Sequence, residues 1–204
     1  MSQKKRDFDF EEHPPKNYIH PITLLQEEVG LWSKVNFGFQ ISKTEPNLTL
    51  NSLVPLLGIV EELGEYERAR DVEARKDALA DAVIFLCDYT SREGILLDHL
   101  VRMEYTDYIN LRGKNGALVC VGEMCHLTLK HHQGIRGMDD EEKYRLELHK
   151  VVFRLLGYLD YECWFQFNSD LLDITIPIWK NVVSKRNWKK NKRTGRKDER
   201  SKGE

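Results

Sequence analysis

The chain has 204 residues, 31% of them charged and 41% hydrophobic, and a formal net charge of −2. That length is ample for one large helical domain or two small ones with a hydrophobic core, and the near balance of charge supplies no whole-chain field that would draw it to nucleic acid or to a membrane. With no apolar run of about eighteen residues and no basic start leading into an apolar segment, we expect no membrane span, no signal peptide and a cytoplasmic location.

Apolar residues recur at helical spacing through most of the chain and alternate at strand spacing almost nowhere, so the sequence predicts an all-α fold. Pro14, Pro15 and Pro21 keep residues 1–21 as an extended N-terminal arm. A first helix runs from Thr23, the expected N-cap, to about Asn36, with Trp32 on its apolar side. After a polar loop over 40–50, a second helix starts near Asn51 or Ser52, takes Pro55 in its first turn and reaches about Arg70. Asp71 caps a third helix, which runs to about Arg92 and stops at Glu93-Gly94. A fourth is expected over 96–111, ahead of the breaker run 112–116. Helices over 117–132 and 139–165 flank the loop 133–138. A last helix runs from Ser169 to about Arg186, with Pro177 as a kink. Residues 189–204 are strongly basic and lack apolar residues, so they are expected to be disordered.

The cysteines Cys87, Cys120, Cys125 and Cys163 form no CxxC pair and read as reduced thiols. A zinc site built from Cys120, Cys125, His126 and His131 would fit no standard finger spacing.

The sharpest signal is Asp81, the only polar residue in the run 78–87. A helix that apolar belongs inside a protein, where an unpaired carboxylate costs several kcal/mol or takes up a proton, on the order of the penalty for any buried charge. Asp77 lies one turn earlier on the same side. On the preceding helix Glu61, Glu62 and Glu65 stack along one face. A solvated acidic face explains the three glutamates alone about as well, but it fails for Asp81. Two antiparallel helices would converge these acids, and several carboxylates ionise together only around a divalent cation. Oxygen-only ligation favours Mg²⁺, with Mn²⁺ as the alternative.

A weak internal repeat lays residues 60–65 on residues 118–123 through the shared Gly-Glu, and Leu86-Cys87-Asp88-Tyr89 echoes Leu159-Asp160-Tyr161. Glu61 and Glu62 then correspond to Val119 and Cys120. The partner of the aspartate helix carries His149, Lys150 and Arg154 and has no acid between Glu147 and Asp160.

The pattern Glu61-Glu62-x-x-Glu65 followed by Asp77-x-x-x-Asp81 resembles the MazG-like all-α nucleoside triphosphate pyrophosphohydrolases. Two further segments are similar to members of that group: 129–137, like the loop between their acidic helices, and 178–188, like their closing helix. The resemblance touches most of residues 22–191. It implies a helical bundle of two MazG-like modules related by a pseudo-two-fold. Residues 22–112 would be the half carrying the metal site and 113–188 a degenerate half, fused as a monomeric pseudo-dimer or pairing further as a homodimer. It implies Mg²⁺-dependent hydrolysis of a nucleoside triphosphate to monophosphate and pyrophosphate. By position, Glu61, Glu62, Glu65 and Asp81 match the metal-binding acids. The family pattern places the remaining acid at Ala78, whereas this chain carries Asp77.

On that reading Glu62 orients the attacking water or takes its proton. Lys180, Lys185, Arg186 and Lys189 bind the polyphosphate, and Trp32 and Phe85 are candidates for base stacking, although each also suits a core. Lys150 and Arg154 would place fixed positive charge at the abandoned site, pairing nearby acids or holding a phosphate. The alternative is a catalytically impaired relative that binds nucleotide or a protein partner. The basic tail comes without interleaved aromatics or a recognised module, so no specific nucleic acid is expected as a partner.

Overall fold

The computed structural model describes residues 19–37, 48–98, 110 and 115–187, with the backbone alone for 48–51. Within these the secondary structure is helical and includes no strand, as the periodicity predicts. The elements are α1 (Pro21–Phe37), α2 (Leu48–Arg68), α3 (Val72–Glu93), α4 (Gly116–Gln133), α5 (Glu141–Phe167) and α6 (Leu171–Asn181), followed by a 3₁₀ turn, Val183–Lys185. The hairpins α2–α3 and α4–α5 pack through α2 on α4 and α3 on α5, while α1 and α6 close over α3. Among the described residues no helix is long and apolar enough to cross a membrane.

Helix α3 is the hub. It touches α1, α2, α5 and α6, and between Ala78 and Glu93 only Asp81, Phe85 and Ser91 escape full burial. Its ends are as the sequence predicts. The Asp71 carboxylate accepts from the Ala74 N–H at 2.8 Å, and Gly94 takes the left-handed φ of 68° that ends the helix. Asp140, one residue later than expected, caps α5 by accepting from Glu142 and Lys143.

Four expectations need correction. Pro21, at ease in a first helical turn, starts α1, so Thr23 lies inside the helix and its hydroxyl donates instead to the Leu97 carbonyl at 2.7 Å. Helix α2 begins at Leu48, so Pro55 falls in its interior. Residues 95–98 are not helical, because α1 takes the backbone groups that a helix would use. Gln26 Nε2 donates to the Ile95 carbonyl at 2.6 Å, and its Oε1 accepts from the Leu97 N–H at 2.8 Å. The rest of the helix expected over 96–111 lies outside the described residues apart from Asn110, and so do the arm 1–18 and the tail from 188 onward. Finally, the closing helix stops at Asn181 rather than Arg186, since Val183 turns into the core and Trp32 Nε1 holds the Arg186 carbonyl at 3.0 Å.

Two sets of buried polar groups are paired. Arg92 grips both oxygens of Asp88, at 2.9 and 2.7 Å, and also reaches Ser33. Tyr89, Thr128, Tyr144 and Glu93 form a hydrogen-bonded chain joining α3, α4 and α5.

Candidate functional site

The hairpin α2–α3 brings the five acids together through its register. Gly58 allows a close approach: a Cβ there would lie 2.5 Å from the Phe85 ring. Because the helices are antiparallel, one turn onward Glu62 falls opposite Asp81, and a further turn brings Glu65 toward Asp77. Glu61, Glu65 and Asp77 are exposed, whereas Glu62 and Asp81 are half-buried between the helices.

The acids act on one another through charge. Burial, followed by the charges of Asp81, Glu65, Glu61 and Asp77, pushes the Glu62 carboxyl up to about 8. Burial also raises Asp81, to about 6; Asp77 and Glu65 add to that rise, and the Arg186 guanidinium opposes it. The shifted Asp77 therefore still acts on Asp81. Ala78, where the family pattern has an acid, is 4% exposed and faces the core.

Asp81 Oδ1 is buried with no hydrogen-bond partner among the described residues. Groups in that condition are rare and call for a cation, a proton or a water. Among the described residues, no three His, Cys, Asp or Glu side chains are drawn together tightly enough to hold an ion as they stand. That covers the zinc combination as well: Cys120 is buried beside Arg154, Cys125 is exposed, and His131 stacks on Tyr144 at 4.0 Å.

Of the basic residues expected to bind phosphate, Lys180 and Lys185 are exposed, and Arg186 is half-buried with its charge felt at Asp81. Lys189 lies outside the described residues. Trp32 is half-buried in an aromatic cluster, edge-on to Trp179 at 5.7 Å and to Phe37 at 5.6 Å. Trp179 is fixed in turn by Glu28, 2.7 Å from its indole nitrogen. Phe85 packs against the core over Gly58. The use of the Trp32 N–H to hold residue 186 had no signal in the sequence, because the two are 154 residues apart.

In the second hairpin the corresponding place is charge-paired. Arg154 of α5 forms an ion pair with Glu123 of α4 and a hydrogen bond to Cys120. By the sequence repeat, these two stand where the first hairpin has Glu65 and Glu62. Among the described residues Lys150 pairs along its own helix, with Glu147 at 2.8 Å.

No family model, no curated protein and no solved structure matches the chain.

Proposed function

We propose that this chain is a divalent-metal-dependent nucleoside triphosphate pyrophosphohydrolase of the MazG-like all-α group, with α2–α3 the competent half of a fused pair and α4–α5 the degenerate half. The observation that carries the reading is Asp81, a half-buried carboxylate whose buried Oδ1 has no hydrogen-bond partner among the described residues, beside Glu62, whose carboxyl is raised by the charges of four acids. An all-oxygen donor set of that charge fits a hard cation. Glu61, Glu62, Glu65, Asp77 and Asp81 would hold Mg²⁺ or Mn²⁺, which when bound offsets charge on phosphate oxygens and lowers the pKa of water.

The chain's own residues supply the rest. Glu62, set beside Asp81 between the two helices, would orient the attacking water or take its proton once bound cation offsets the surrounding negative charge. Lys180, Lys185 and Arg186 offer the polyphosphate compensating charge. Trp32 fixes the backbone of Arg186 through its indole N–H, so its role is to position that residue rather than to stack a base. The fused-pair reading draws on the packing of α2 on α4 and α3 on α5, and on the Arg154–Glu123 pair, a fixed cation in place of a bound one.

The test is pyrophosphate release from a panel of nucleoside triphosphates with and without Mg²⁺, in wild type and in Asp81→Asn and Glu62→Gln. Release that needs Mg²⁺ and collapses in both variants is expected. Undiminished hydrolysis in Asp81→Asn overturns the site. A second reading, a catalytically impaired relative that binds nucleotide or a protein partner, draws on Ala78, apolar and buried where the pattern has an acid. Mg²⁺-dependent stabilisation that Asp81→Asn abolishes, without any hydrolysis in the wild type, favours that reading.

A further inference from the structure

Helix α2 leaves an apolar stripe in the open. Leu53, Leu57 and Val60 recur at helical spacing on one face, and all three are exposed, Leu57 by 67%. Gly64, one turn further, continues that face and lines a cleft of about 620 Å³ between α2, α3, α4 and α5. Leu118 of α4, exposed as well, stands in the wall of the same cleft.

Two features distinguish the stripe from scattered exposed leucines. The first is its spacing. From Leu53 to Gly64 the steps are four, three and four residues, so the series reads the same from either end. Two copies of α2 crossing antiparallel about a two-fold axis would therefore match along the whole stripe. Leu57 would meet Val60 of the second copy, and Leu53 would meet Gly64 of the second copy beside its Leu118. A large side chain at one end thus faces a missing one at the other. The nearest atoms to a Cβ built on Gly64 belong to the Arg68 side chain, 3.5 Å away or more, so packing within the chain does not demand glycine there. Glycine within a helix nonetheless lowers stability relative to alanine.

The second feature is charge. From Leu48 to Val60 there is no charged residue, whereas Glu61, Glu62, Glu65, Glu67 and Arg68 follow. An antiparallel crossing sets the charged half of each helix against the uncharged half of the other. Like charges do not meet, and the positive end of each helix dipole comes toward the glutamates of the other copy.

We propose that α2 is the centre of an interface with a second copy of this chain, the two helices antiparallel and each Leu53 seated between Gly64 and Leu118 of the other copy. The open apolar area, on the order of 400 Å² per copy, is of the size that marks interaction sites. With the polar rim around it, about 1,000 Å² is covered in total, which suffices for a specific contact. The interface does not depend on the proposed chemistry, because Glu62 projects from the opposite side of α2, between α2 and α3.

Sedimentation equilibrium of the full chain measures the association. A dimer is expected by about 100 μM chain. Leu57→Asp and Gly64→Glu should each weaken it at least about tenfold, with helicity by circular dichroism unchanged, since neither residue belongs to the core. Leu129→Asp, which charges another exposed leucine on α4, should leave the dimer intact. A monomer at about 100 μM, an assembly other than a dimer, a dimer that survives Leu57→Asp or a folded Gly64→Glu, or one that Leu129→Asp dissolves as readily overturns the proposal.

Discussion

Phe85 lies over Gly58 so closely that a methyl group on the glycine would sit 2.5 Å from its ring. The contact sets the spacing of α2 and α3, and with it the distance from Glu62 to Asp81 one turn away. Gly58→Ala should therefore cost about 1–3 kcal/mol through overpacking. Urea denaturation measures the loss, and Phe85→Leu in the same chain should recover part of it. Unchanged stability in Gly58→Ala would mean that the helices do not approach as closely as described.

Asp81→Asn keeps the side-chain volume and removes a charge that burial and Asp77 both disfavour. Without divalent cation the variant should melt at a higher temperature than wild type. With saturating Mg²⁺ the order should reverse, because only the wild type gains from the ion. If the chain hydrolyses nucleotides, Asp81→Asn and Glu62→Gln should each lower turnover at least about a hundredfold, or about 2.7 kcal/mol in barrier.

The raised carboxyls give a pH dependence of definite sign. Glu62 and Asp81 bind protons more tightly folded than unfolded, so their contribution to stability is complete below the unfolded values and is lost as pH rises through the folded ones. In chelator, stability should fall between about pH 4 and pH 8, the span from the ordinary carboxyl range to the raised Glu62 value. Glu62→Gln with Asp81→Asn should flatten that fall. A wild type whose stability rises steadily over the same interval would contradict the acid cluster.

Two ion pairs on paper look alike and should behave differently. Arg92 and Asp88 are buried, with side-chain exposures of 4% and 9%, and losing the arginine strands a carboxylate inside. Arg92→Met should cost about 3–5 kcal/mol. Arg154 and Glu123 are exposed by 37% and 46%, so Arg154→Met should cost less than about 1 kcal/mol. Thermal denaturation at two salt concentrations separates them, since only the exposed pair should respond to screening.

The sequence made legible what short-range chemistry decides. Asp71 and Gly94 mark the ends of α3 because a carboxylate cap and a left-handed glycine act within a few residues. Asp81 stood out because nine apolar neighbours leave a charge nowhere to go. What could not be read was decided by tertiary partners. Thr23 looks like a cap until Leu97 claims its hydroxyl, and nothing near Arg186 foretells that Trp32 holds its carbonyl. Arg154 reads as a cation that pairs an acid or holds a phosphate, but which acid it pairs was not legible, because Glu123 lies 31 residues away on another helix. Gly64 served only to align a repeat, since the cleft that it lines is a property of four helices, α2, α3, α4 and α5, and not of one.

Gln26 bonds to Thr90, Ile95 and Leu97 across separations of 64 to 71 residues. These partners exist as a surface only once α3 has formed and Gly94 has turned the chain. The hairpin α2–α3, closed by a three-residue turn, assembles from neighbours, whereas α1 must wait for a template that lies far along the chain. Helix α1 is thus a late arrival in folding, and a weakened Gln26 should show itself as faster unfolding with the rate of folding little altered.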